Sequence, residues 1–399
     1  MKKVILTASA LLLIAGCRKY FGEKTDLSFI DVPQFTNREI AYVPILPAFN
    51  GFIKPVDIAV GFDELIYVAD EGAQEIVQLD ETGRRLGSFP IPGLRAVTQD
   101  RRFDLLAIGT ADTVIAGSTF TFTCIYRIRM TGPEGYKLNP SNARIIRKIM
   151  HPFYYKTTYS NSDLNVQFNR IGVIASTNPA ENNSYFVTRT GPAKNPILGP
   201  DDAVLLFSNN DQYITPVTVS TSQGTFNDYF QKPFGITTFA KPPQITARTG
   251  QSFMVTMLEP NSAIKVQNIE RIESEFGAEY RPRFFPYGDT SKSDGGLHEP
   301  FKFQEPVGIT LSGDAANFIF VVDKAKDSLY QFSGNGLEGV QPPAATGITK
   351  LQKASFGGRG NDYTQFRAPM SVAFFKKILY VADSENGRIL RFRLTLDFD

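Results

Sequence analysis

One phrase recurs along this chain and constrains its fold more than its composition does. The clearest copy has Phe366 three residues before Pro369, a run of small and β-branched residues from 370 to 374, a short gap, and then residues 378–383 ending in Asp383. Phe52 and Pro55 open a second copy, in which residues 56–60 and 65–70 repeat the pattern and Asp70 closes it. Phe303 and Pro306 open a third, closed by Asp323, while Phe230 with Pro233 and Phe89 with Pro92 keep only the opening. Phe168 heads a sixth copy that has lost the proline. Proline cannot donate to a strand ladder, so it is tolerated at the first strand position, where it fixes φ as the chain enters. The run after it suits an inner strand crowded by its neighbours, and the preceding Phe is large enough to pack between units. Asp bonds to backbone amides just ahead of it, so Asp70, Asp323 and Asp383 are read as turn formers rather than catalytic or metal-binding groups.

The six phenylalanines, at 52, 89, 168, 230, 303 and 366, leave room between them for three or four short strands and their turns. Units of roughly forty residues with four strands each indicate radial sheets around a channel. The expected fold is all-β: a six-bladed β-propeller of four-stranded antiparallel blades. The last copy runs out of chain after its third strand. Residues 40–46 are therefore expected to supply the missing strand and close the ring, removing an exposed edge. The domain reading is a signal peptide over 1–16, a tether over 17–39 and the propeller over 40–399.

Phe356 to Gly360, Phe366 with Pro369, Tyr380 to Asp383, and Asn386 to Ile389 together resemble an NHL repeat, and the first and fifth copies resemble it more loosely. The resemblance implies a six-bladed propeller. It implies no single activity, because that family includes binding platforms as well as metal-dependent lyases and hydrolases. The lyases are similar to one another in placing several His around a metal, and this chain has two, His151 and His298, both in irregular segments. A lactonase-like Ca²⁺ site would need carboxylates and amides converging on the channel mouth. Asp57, Asp100 and Glu305 lie near inner-strand ends but share no register. No cofactor is expected, with Ca²⁺ as the alternative.

The N-terminus carries a different kind of signal. Lys2 and Lys3 precede an apolar run over 4–14, and Ala15 and Gly16 stand directly before Cys17. Such a stretch is too short to span a bilayer and reads as a secretory signal. The small pair before Cys17 resembles a bacterial lipobox, which implies acylation of Cys17 and insertion of the chains into the lipid bilayer. Arg18 and Lys19 follow, with neither the early acidic cluster that resembles surface export in Bacteroidota lipoproteins nor an Asp retention signal. The outer membrane is expected, with the periplasmic face favoured over the cell surface. Against 40 acidic residues the chain has 42 Lys and Arg. Loss of Lys2 and Lys3 would leave it near neutrality, which argues against nucleic-acid binding. Cys124, in an alternating segment, reads as a small buried hydrophobe.

No GxSxG, P-loop or paired-Cys motif is present. Two segments, 131–159 and 269–300, exceed what the repeat needs and read as projecting loops. Aromatic and Arg side chains dominate binding energy at interfaces, so Arg281, Arg283, Phe284, Phe285 and Tyr287 form the candidate contact group. The expectation is a non-enzymatic scaffold that binds a protein partner in an outer-membrane transport, assembly or secretion complex. One alternative is a Ca²⁺-dependent hydrolase or lyase acting at the channel mouth. A second is a surface glycan-binding lipoprotein, with the Tyr-rich stretch 153–159 as platform or else packed as an outer strand. The lipobox reading is checked by feeding labelled fatty acid: Cys17→Ser should incorporate none, and incorporation equal to that of the unaltered chain would refute it.

Overall fold

Four of the six inner strands begin at the proline of the repeat: Pro55–Val60, Pro233–Thr238, Pro306–Leu311 and Pro369–Phe375. The computed structural model describes residues 39–398 apart from 155–156, 193–200, 240, 243–249 and 276. Cys17 and nearly all of the expected tether lie outside the described residues.

The strands form six radial antiparallel sheets, each running outward from an inner strand, in a six-bladed β-propeller. Blade one continues from Pro55–Val60 through Ile66–Asp70 and Glu75–Leu79 to Arg85–Pro90. Blade two starts at Ala96–Gln99 and blade three at Gln167–Val173. Blade four starts at Pro233–Thr238 and carries an added hairpin, Val219–Thr221 with Gly224–Phe226, against its outer strand Gly277–Pro282. In blade six the strand Tyr42–Pro44 pairs antiparallel with Arg388–Leu394, Tyr42 lying opposite Leu394.

In five blades the pairing of inner and second strands slips after the first or second inner residue, at Pro55/Asp57, Phe168/Ile171, Pro233/Ile236, Pro306/Gly308 and Pro369/Ser371. A bulge of this kind bends the strand and re-aims a side chain. It also corrects the repeat. Phe168 occupies the place of the prolines, not of the phenylalanine three residues before them: the slip falls directly after it, and its ring is fully buried. In the second copy Gly93 is a turn residue at φ 61, and the strand starts three residues later, at Ala96.

Between each pair of neighbouring blades lies one apolar cluster, six around the ring. Phe230, Phe303 and Phe366 are buried in three of them, which is the packing role expected of the repeat phenylalanines. Each of the two long segments includes regular strand. Arg144–Met150 is the outer strand of blade two, and Val266–Ser274 with Gly277–Pro282 are the outer strands of blade four. Tyr154 packs on Phe168, Phe207 and Tyr213, and Tyr159 on Phe120 and Phe122, so these two rings are packed rather than set out as a platform. Cys124 is fully buried, and burial pushes its thiol up to about 12. Phe366 touches the rings of Phe356 and Phe392 between blades five and six. Phe366→Ala should therefore cost about 3–5 kcal/mol in a urea melt; a loss below about 1 kcal/mol would show that the ring does not carry that interface.

Candidate functional site

The slip sets the residue two places after each slipping Pro or Phe against the channel axis: Asp57, Arg170, Gly235, Gly308 and Ser371 all line the channel. Only one of them is large. The Arg170 guanidinium lies across the channel, donating from Nη1 to the carbonyls of Arg95 at 3.1 Å and Asn169 at 2.9 Å. From Nη2 it donates to the carbonyls of Val56 at 2.7 Å and Met370 at 3.4 Å. Its Nε lies 3.4 Å from Asp57 Oδ1, and its Cζ stands 4.9 Å from the centre of the Phe234 ring. Asp57 in turn accepts from Val97 N–H at 3.0 Å and from Ser371 Oγ at 2.7 Å. Burial pushes the guanidinium down from its ordinary value, and Asp57 holds it up. The neighbours must be small. A Cβ on Gly308 would stand 3.0 Å from Ser371 Cα, and one on Gly235 would stand 2.9 Å from the Val307 carbonyl.

Arg170 thus floors two cavities. On the side where the inner strands begin is a mouth of about 340 Å³, lined from every blade. Its polar walls repeat. In blade one Asp70 accepts from the amides of Ile53 and Lys54 and from those of Gly72 and Ala73, fixing two loops together. Asp323 does the same for Gln304, Glu305, Ala325 and Lys326, and Asp383 accepts from Arg367 N–H. The turn role expected of these aspartates holds, and it reaches further than a turn. Each pair of loops presents an ion pair at the mouth: Lys54 with Glu71 at 2.5 Å, Lys324 with Glu305 at 3.7 Å, and Arg367 with Glu385 at 3.9 Å. In blade five the order is reversed, the acid preceding the inner strand and the base following the aspartate. The Arg95 guanidinium lies against the Gln167 side-chain amide, and Phe234, Leu258 and Met370 supply apolar wall. Of the three mouth carboxylates, Glu71 is the one whose charge helps hold Arg170 protonated.

This donor set does not fit a caged Ca²⁺. Among the described residues no three His, Cys, Asp or Glu come together to hold a metal. Glu71, Glu305 and Glu385 stand on separate blades, each with its own cation. Of the sequence candidates, Asp57 is committed to Arg170 and Glu305 lies at the mouth. Asp100 is elsewhere, buried against Arg127 at 2.6 Å. Lys54, Lys324 and Glu71 had a sequence signal: a charged residue stands directly before the repeat proline or directly after the repeat aspartate.

Beyond Arg170 the channel narrows to a chamber of about 90 Å³. Lys241, in the loop after Pro233–Thr238, lines it and is partly buried. Its amine has no hydrogen-bond partner among the described residues. Burial pushes it down to about 8, with Asp57 opposing.

The contact group read from the sequence is divided. Arg281 pairs with Glu279 at 2.5 Å and Arg283 with Glu270 at 2.6 Å. Arg281 and Phe284 share a groove at the outer edge of blade four, and Phe284 and Tyr287 are exposed. Phe285 belongs to the core between blades four and five, not to a contact surface: it is 8% exposed and stacks on His298 at 5.3 Å. His298 Nδ1 accepts from Phe285 N–H at 2.7 Å, and burial pushes the ring down to about 4, so it is a neutral core group. His151, equally buried, lies 2.9 Å from Asp163.

No protein-family model matches the chain. No curated protein matches it either. Solved structures do. A luciferin-regenerating enzyme superposes with a TM-score of 0.50 at 9% identity, covering 88% of this chain and 95% of its own. An aldose sugar dehydrogenase from Streptomyces coelicolor, in its PQQ-bound form, gives 0.48 at 12% identity, covering 89% and 98%. Virginiamycin B lyase from Staphylococcus aureus gives 0.44 at 11%, covering 89% and 99%. Likeness at such identities is likeness of fold. It corrects the expectation of a non-enzymatic protein-binding scaffold: the luciferin-regenerating enzyme has this fold and is named as an enzyme, so the propeller and its scarce His give no ground for excluding catalysis.

Proposed function

We propose that the protein is a hydrolase or lyase acting on a small polar molecule at the mouth of the central channel. The observation that carries this reading is the mouth cavity itself, lined from all six blades, with ion-paired carboxylates and cations above a wall of Phe234, Leu258 and Met370. Ligand sites combine apolar surface with a few fixed polar groups in this way. Glu71 is the proton acceptor in this reading, because it is the most enclosed of the three mouth carboxylates, with 26% side-chain exposure against 47% for Glu305 and 52% for Glu385. Lys54 and Arg95 would stabilise negative charge developing on the substrate, as fixed cations do in a partly dry site. The side chains carry this chemistry without a caged metal.

The same reading includes NHL-type repeats and anchorage at the outer membrane through acylated Cys17, on its periplasmic face. These rest on the sequence motifs alone.

The test is turnover of a panel of small lactones by the full chain. At least one should be opened, and Glu71→Gln should lower kcat about 100-fold or more with an unchanged melting temperature. Full activity in Glu71→Gln would remove the assigned base. A panel neither opened nor bound by the unaltered protein would count against the mouth as an enzyme site.

A further inference from the structure

The chamber on the far side of Arg170 holds a group that the proposed reaction does not use. Three charged side chains line it: Asp57, Arg170 and Lys241. The first two are committed to each other and to the ring, Asp57 accepting from Ser371 Oγ and Val97 N–H while the guanidinium is spent on four backbone carbonyls. Lys241 makes no hydrogen bond or ion pair with any described residue, although lysines elsewhere on this protein readily do, Lys302 for instance bridging Glu299 and Glu338. Around it the walls come mostly from inner strands, with Val173, Ile236 and Ile309 among their side chains. A lysine desolvated in a largely apolar pocket is a usual form of an activated amine nucleophile, and the one charge acting on Lys241, that of Asp57, opposes the desolvation without cancelling it. The volume, about 90 Å³, suits a guest of few atoms, since one water needs roughly 10–15 Å³ on the same measure.

We propose that Lys241 is a carbonyl-condensing site, taking a small aldehyde or ketone into the channel chamber and holding it as an imine. The neutral amine adds to the carbonyl carbon, forming the C–N bond, and a nitrogen proton passes to the oxygen. The second nitrogen proton then passes to the same oxygen, which leaves as water as the C–O bond breaks and the C=N bond forms. No oxidant or reductant takes part. The lowered amine supports this geometry: with its value near 8 rather than 10.5, the neutral fraction near pH 7 rises on the order of a hundredfold. The site is separate from the mouth, because Arg170 lies between the two cavities.

The test is reductive trapping of the full chain with acetaldehyde and cyanoborohydride, followed by peptide mapping of every lysine. Lys241 should label at least about 10-fold faster than any other lysine, with its rate rising through pH 8. Lys241→Met should abolish that fast label while leaving lactone turnover at the mouth unchanged. Labelling spread over surface lysines, with Lys241 not ahead of them, would overturn the proposal. That outcome is read in the unaltered protein, so it stands even if Lys241→Met fails to fold, and it leaves the mouth reading untouched.

Discussion

The ring depends on one guanidinium. Arg170 spans the axis and joins carbonyls from blades one, two, three and six, faces the Phe234 ring of blade four, and meets the Asp57 carboxylate. Six blades around a channel leave their first backbone carbonyls pointing at a space too narrow for bulk water. Buried carbonyls without partners cost free energy comparable to a lost hydrogen bond. A single planar group with five donors satisfies four of them, from blades one, two, three and six, and the geometry suits Arg alone among side chains. The charge requires an anion, which Asp57 provides, and the bulk requires space, which Gly235 and Gly308 provide. What holds the ring at its centre also divides the channel and gives the mouth a floor.

The mouth follows from the repeat. Asp70 and Asp323 each gather the amides of the loop before an inner strand and of the loop after the second strand, so the residues flanking them are delivered to the rim whatever their identity. A structural device thereby leaves positions free to vary, and the charge order differs between blades one and five. Function on this fold is carried by those positions rather than by the strands.

Much of the ring was legible because its determinants are local. Proline at a strand start, Phe between blades and Asp at a turn each act through near neighbours, so six copies could be counted. The register of the second and third copies was not. In those copies no proline marks the start, and Phe168 imitates the preceding phenylalanine while filling the proline's place. Arg170 was missed for a related reason. It is one residue among many arginines, and its role appears only when strands far apart in sequence, at 56, 95, 169 and 370, converge on one point. Phe285 misled in the opposite sense: its neighbours Phe284 and Tyr287 are exposed, but the chain turns its ring onto His298.

The coupling between Arg170 and Asp57 is the most direct measure of whether the axis is braced as described. It is read from a double-mutant cycle of Arg170→Met and Asp57→Asn in urea melts. Each single change removes one partner of a buried pair and should cost roughly 3–5 kcal/mol. The double change should cost less than their sum by about 1–3 kcal/mol, because neither charge is then left alone. Strictly additive effects, or single losses below about 1 kcal/mol, would show that the ring stands without its central guanidinium.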